Sequence, residues 1–169
     1  MNQSLKIRGN KAIFSDMYKN IEETVEAEIY DATEKTADDA RAKVPVNDGI
    51  LKGSIATNHE KFKGEVVVSA HYAPYVEFGT GTRVEVPSGL TEYALQFKGK
   101  GKGNWQDFEN SMRNWIKKKG IPEEALYPIM ASIWRNGIYP HPFLYPAFRE
   151  NVLKLMQKLN KAYSKEKLK

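Results

Sequence analysis

Side-chain chemistry in this chain is to be sought at three histidines, a Gly-Thr-Gly stretch, a run of carboxylates and a lysine-glycine loop. His59, His71 and His141 have none of the short spacings that set two imidazoles on one helical face, and there is no cysteine, so a metal site is not expected and thiolate chemistry is excluded. General acid-base use of His71 or His141 would need an orienting partner, and none is identifiable. Gly79-Thr80-Gly81 lacks the further glycine, the Lys-Ser pair and the strand-to-helix setting of a phosphate loop. The carboxylates from Glu22 to Asp39 spread around a helix as a solvated surface rather than clustering. No catalytic residue, cofactor or metal is expected. Lys98, Lys100 and Lys102 alternate with glycines, which describes a mobile, solvated basic loop or one that touches phosphates without reading sequence.

The elements that position these residues follow from periodicity. Met17, Ile21, Val25, Ile29, Ala32, Thr36 and Ala40 recur at three- and four-residue steps, predicting one long helix from about Ser15 to Val44, which Pro45 ends. Asp48-Gly49 has turn chemistry. Two strands are expected at Ile50–Thr57 and Glu65–Ala70, joined by a hairpin loop over Glu60–Gly64. Residues from about Arg83 to Tyr139 read as an insertion, with helices near Trp105–Lys119 and Pro122–Arg135. Three prolines keep Tyr139–Pro146 extended, and a last helix from about Pro146 buries Phe148, Val152, Met156, Leu159 and Tyr163 while lysines cover its other side.

With 169 residues, 41% of them hydrophobic and 28% charged, the chain is expected to form one domain that folds without a staple. No stretch approaches the roughly 20 apolar residues of a membrane span. The net charge of +5 permits contact with polyanions without requiring it.

Three segments in order resemble a known family. The first is Ala42-Lys43-Val44-Pro45-Val46-Asn47-Asp48-Gly49-Ile50-Leu51-Lys52-Gly53-Ser54-Ile55, where that family has Pro-Val-Asp-Thr-Gly and then Leu-Arg-x-Ser-Ile; Asn47-Asp48 replaces Asp-Thr and Lys52 replaces arginine. The second is Tyr72-Ala73-Pro74-Tyr75-Val76-Glu77-Phe78-Gly79-Thr80-Gly81. The third is Ile133-Trp134-Arg135-Asn136-Gly137 with Pro140-His141-Pro142-Phe143-Leu144-Tyr145-Pro146-Ala147. The chain thereby resembles the gene-product-ten-like head-tail joining, or tail completion, proteins of tailed bacteriophages.

The resemblance implies an α+β fold, with a long N-terminal helix and a C-terminal helix on a small antiparallel β-sheet and a helical insertion before the last helix. It implies a non-enzymatic virion protein of the neck, of phage or prophage origin, made in the host cytoplasm. Such a protein forms a ring, commonly of six subunits, through which DNA passes. Its partners would be portal, adaptor or stopper proteins on the head side and tail terminator or tail tube proteins on the tail side. Tyr72, Tyr75, Glu77, Phe78, Arg83, Arg135, His141 and Phe143 are then expected at subunit or partner interfaces, and Lys98, Lys100 and Lys102 in the channel. Glu77, between aromatics, is expected to form an inter-subunit salt bridge, with Arg83, Arg135 or Arg149, or a helix cap. The acidic first helix and lysine-rich last helix could pair between neighbours. A nucleic-acid-binding module and a small hydrolase are the alternatives from other classes.

Overall fold

A computed structural model of the chain describes residues 11–45, 49–85, 87–96 and 104–166. Helix α1 spans Lys11–Lys43, starting four residues before the expected Ser15. Its C-terminal half is its buried half: Ala37 and Ala40 are fully enclosed and Thr33 and Thr36 nearly so. Small side chains there let other elements approach the helix axis closely, which is why the narrowing of the apolar stripe toward Ala40 marks the core rather than the surface.

Three elements use that approach. The hairpin of β1 (Ile55–Glu60) and β2 (Lys63–Val68) lies along one side of α1, in antiparallel register with Ile55 opposite Val68 and Glu60 opposite Lys63. Gly64 sits so near α1 that a Cβ there would fall 1.8 Å from the Thr33 hydroxyl. On the other side runs α7 (Leu144–Glu166), antiparallel to α1: Asn151 is opposite Asp39, and Lys158 opposite Glu28 and Asp31. Between them Phe143, Ala147, Leu51, Ile55, Val44 and Ala73 close the core, with Val66 and Val68 packed against it.

The α+β architecture is as expected, and several boundaries differ. Ile50–Gly53 is a helical turn, α2, rather than the start of a strand; Gly49 enters it at φ 75°, Gly53 N–H donates to Gly49 O, and Leu51 points into the core while Ile50 remains exposed. A four-residue turn is too short to show a helical period, so Ile50-Leu51 looked like strand. The hairpin loop is only Lys61-Phe62, because β1 runs on to Glu60. Phe62 takes φ 59° there, with the Lys61 ammonium 5.1 Å from its ring centre. Finally, α7 begins at Leu144, two residues before Pro146. A proline at the third helical position removes only an N–H that has no partner inside the helix.

After β2 come α3 (Ala73–Phe78), a 3-10 turn at Gly81–Arg83 and α4 (Thr91–Leu95). Then α5 (Trp105–Lys119) and α6 (Leu126–Asn136) build a second core from Ile116, Leu126 and Met130 under Phe108, Met112, Trp115, Ile121 and Ile129. Asn104 caps α5 by accepting from Asp107 N–H at 2.8 Å. The expected helix over Pro122–Arg135 starts with a 3-10 turn, Glu123–Ala125, before α6. No helix among the described residues is long and apolar enough to cross a membrane.

Candidate assembly site

The second and third motif segments, about sixty residues apart in the chain, are fastened together along their length. Thr80 N–H donates to Ile138 O (3.0 Å), Ile138 N–H to the Thr80 hydroxyl (2.9 Å), the Thr82 hydroxyl to Asn136 O (2.9 Å) and His141 N–H to Val76 O (2.8 Å). Two backbones cross here with no room for side chains. Gly137, at φ 86°, has Thr80 O only 1.9 Å from where its Cβ would lie, and a Cβ on Gly79 would meet Ile138 O at 2.7 Å. The Gly-Thr-Gly stretch is therefore a crossing point and not an anion cradle. Arg83 secures the crossing from outside, donating to Gly137 O at 3.1 Å and laying its guanidinium 3.8 Å from the Tyr139 ring centre.

Glu77 completes the fastening. It is 6% exposed, and its carboxylate accepts three backbone N–H groups at the start of α7: Phe143 (2.8 Å) and Leu144 (2.9 Å) on Oε2, and Tyr145 (2.9 Å) on Oε1. Of the roles open to it, the geometry realises the cap. These are donors that a helix start leaves unpaired, and a carboxylate there also meets the positive end of the helix dipole. Pro140 and Pro142, just ahead of α7, hold the chain extended so that the donors aim at one point. Phe78 and Phe143, like Glu77, lie inside this chain. Tyr72 is half-buried, edge-on to His71 at 5.4 Å, and Tyr75 is half-buried on α3. Arg135 and His141 present exposed side chains on the outer side of the junction. Lys98, Lys100 and Lys102 lie outside the described residues.

Around the junction is apolar surface that sequence reasoning did not single out. Trp134 (50% exposed), Ile138 and Tyr139 lie on its outer side, and Trp105 stands edge-on to Trp134 at 5.5 Å. Periodicity gave no signal for it, since Trp134 falls four residues after Met130, on the stripe that Leu126 and Met130 bury, and its exposure is visible only in the fold. A second apolar region is an open trough of about 730 Å³ over α1, walled by β2 and by Phe148, Val152 and Leu155 of α7. Phe148 was expected on the buried face of the last helix, yet half of it is exposed.

The charges of α1 and α7 pair within one chain. Lys158 Nζ reaches Glu28 at 2.7 Å and Asp31 at 2.9 Å, and Lys43 reaches Glu150 at 3.8 Å. The opposite charges expected to join neighbouring subunits are thus partly used to align a subunit's own helices. Among the described residues four carboxylates are held below their usual range: Glu109 chiefly by Arg113, Glu150 chiefly by Lys154, and Glu34 and Asp39 on α1. The His59 ring at 2.7 Å, and then the Thr57 hydroxyl, hold Glu34 below the usual range; the Asn151 amide, and then Lys35, do the same for Asp39. A depressed folded value means stability that is present above the unfolded carboxylate pKa, near 4, and is lost as pH falls through the folded value. Chemical denaturation midpoints should therefore be level above about pH 5 and drop below about pH 4, and Glu34→Gln with Asp39→Asn should flatten that drop. A drop of equal size in the double variant would show that other carboxylates carry it. Among the described residues no group of three or more His, Asp or Glu side chains could hold a metal ion.

Fold and site together define a helix-and-hairpin protein whose site chemistry is mechanical: groups that lock two segments and leave aromatic and apolar surface outside. Residues 11–79 match the model of the family described as "Bacteriophage HK97-gp10, putative tail-component". The resemblance to the gene-product-ten-like proteins is borne out over that span, from α1 through the hairpin to Gly79, and it supports a structural role in a tailed phage. Comparison with curated proteins and with solved structures finds no match.

Proposed function

We propose that this chain is a structural protein of the phage neck, a ring subunit that joins the head's portal complex to the tail and lets DNA pass. The observation that carries the proposal is the continuity of the family match with the junction: the match ends at Gly79, within the segment that caps and fastens α7. On this reading residues 1–169 are one head-tail joining domain, and 83–139 is an insertion within it. Ring closure needs two unlike patches on each subunit. Tyr72, Tyr75, Arg83, Arg135 and His141, with Trp134 and Tyr139 beside them, furnish one; Glu77, Phe78 and Phe143 serve it from inside by holding the junction rigid.

Electron microscopy of particles assembled without this chain tests the role. Filled heads and complete tails should appear unjoined, and purified chain added back should restore joined particles. Joined particles in normal numbers without the chain would overturn the proposal.

The channel contact is a separate part of the proposal. In a ring of six, Lys98, Lys100 and Lys102 would bring roughly 18 lysines around the DNA, a sequence-blind contact that weakens steeply with salt. Replacing all three by serine should lower the retention of duplex DNA by assembled rings at low salt and make its salt dependence shallower. Unchanged retention and slope would remove the loop from the channel.

A further inference from the structure

The trough over α1 is shaped by the free edge of a strand. Ser69 N–H donates to Ser54 O, so the hydrogen-bonded pairs of the hairpin are 54 with 69, 56 with 67, 58 with 65 and 60 with 63. Gly64, Val66 and Val68 accordingly turn their N–H and C=O groups away from β1, and among the described residues these groups have no hydrogen-bond partner in the ladder or beyond it. All five consecutive residues Gly64–Val68 border the trough, whereas a strand presenting one face would contribute only alternate ones, and no residue of β1 borders it. An unpaired strand edge of this length is a template for one more strand.

The occupant is constrained by what already stands there. Helix α7 covers α1 on the side to which the sheet would extend, with Phe148, Val152 and Leu155 as the far wall. A strand that carries its own helical layer, as β1 and β2 do, would collide with α7. Only a bare extended segment fits. Ser4-Leu5-Lys6-Ile7-Arg8 alternates apolar with basic residues, the period of a strand buried on one face. Paired with β2, it would send Leu5 and Ile7 into the trough beside Val66 and Val152, and Lys6 and Arg8 outward beside Glu65, whose carboxylate is half exposed.

The segment cannot fill the trough of its own chain. Ile29, the first α1 residue to border the trough, is eighteen residues beyond Lys11, or about 27 Å along the helix. Fully extended, Ile7 reaches only about 14 Å from Lys11 and Leu5 about 21 Å. We propose that the trough between β2 and α7 receives residues 4–8 of a second copy of this chain as an added strand. Donor and acceptor surfaces are unlike, so each chain can give one strand and take one, and the contact propagates around a circle. This deepens the ring reading by supplying its inter-subunit link.

The absence of cysteine makes the test direct, since introduced thiols are the only ones. Full-length Ile7→Cys/Val152→Cys should oxidise to a ladder of dimers, trimers and higher species on a non-reducing gel, and mixing the two single variants should yield a dimer. Adding Val66→Pro removes one outward N–H without touching a ladder bond; it should lower the cross-linked yield about fivefold, as expected for one hydrogen bond, with circular dichroism unchanged. A link within one chain would overturn the second-copy assignment. Cross-linking no greater than for Ile7→Cys with Glu124→Cys, an exposed control, would overturn the site. Neither result bears on the imaging of particles, so this proposal and the neck reading fail separately.

Discussion

Glu77→Ala is expected to destabilise the chain by about 3–5 kcal/mol, because it strands three backbone donors, each of which costs about 1–3 kcal/mol when left unpaired out of water. Phe143 N–H is buried and carries the full penalty, whereas Leu144 and Tyr145 are partly open to solvent and recover some of theirs. A domain of this kind holds about 5–15 kcal/mol in all, so the variant would approach unfolding at physiological temperature. Urea denaturation gives the magnitude, and amide exchange gives the place: protection should fall first at residues 143–147. Glu77→Gln separates charge from shape. Its carbonyl oxygen can still accept, but its amide would confront an N–H, so a loss of about 2–3 kcal/mol is expected. A change below about 1 kcal/mol for Glu77→Ala would mean that water or a neighbour replaces the cap. Because the cap joins α3 to α7, the same variant should loosen the outer surface that the neck proposal uses.

Gly137→Ala is expected to be at least as damaging, about 4 kcal/mol or more, from a different cause. The added methyl would sit 1.9 Å from Thr80 O and 2.4 Å from Thr80 C, which are backbone atoms that cannot rotate away as a side chain would. The crossing would have to open, with loss of the Thr80–Ile138 pair of hydrogen bonds. Gly120 is the control. It also has positive φ, 65°, at the end of α5, but nothing lies within 4 Å of its would-be Cβ. Gly120→Ala should therefore lose only the conformational term, about 1 kcal/mol. Comparing the two melting curves isolates the crowding contribution, and similar losses for both would refute the view of Gly137 as a crossing point.

Much of this architecture is written locally. The four-residue recurrence of small and apolar side chains from Met17 to Ala40, the proline after Val44, the Val66-Val67-Val68 run and the α5 boundaries depend on neighbours a few residues away. Helical and strand periods report such neighbours directly. The order of the three motif segments likewise sufficed to point to the family that residues 11–79 match. What sequence could not decide were relations between distant residues. Glu77 was recognisable as unusual, but whether its carboxylate met an arginine of a neighbour or the start of α7 depended on where Pro140 and Pro142 deliver residues 143–145. The Gly-Thr-Gly stretch resembled a loop until Gly137, fifty-six residues after Gly81, came to lie against it.

The acidic and basic helices show the same division. Their compositions were plain, yet their antiparallel alignment in one chain followed from Ala37, Ala40 and Ala147 being small enough to let the axes approach. The edge of β2 that is unpaired among the described residues had no signature at all, since such an edge is defined by what does not lie beside it. Periodicity in the amino-acid sequence determined which elements form and which faces are apolar, because those forces act over one or two turns. Tertiary structure alone decided which polar groups meet, which glycines are indispensable and which apolar surface remains uncovered, because burial and hydrogen bonding are settled only when distant segments share the same space.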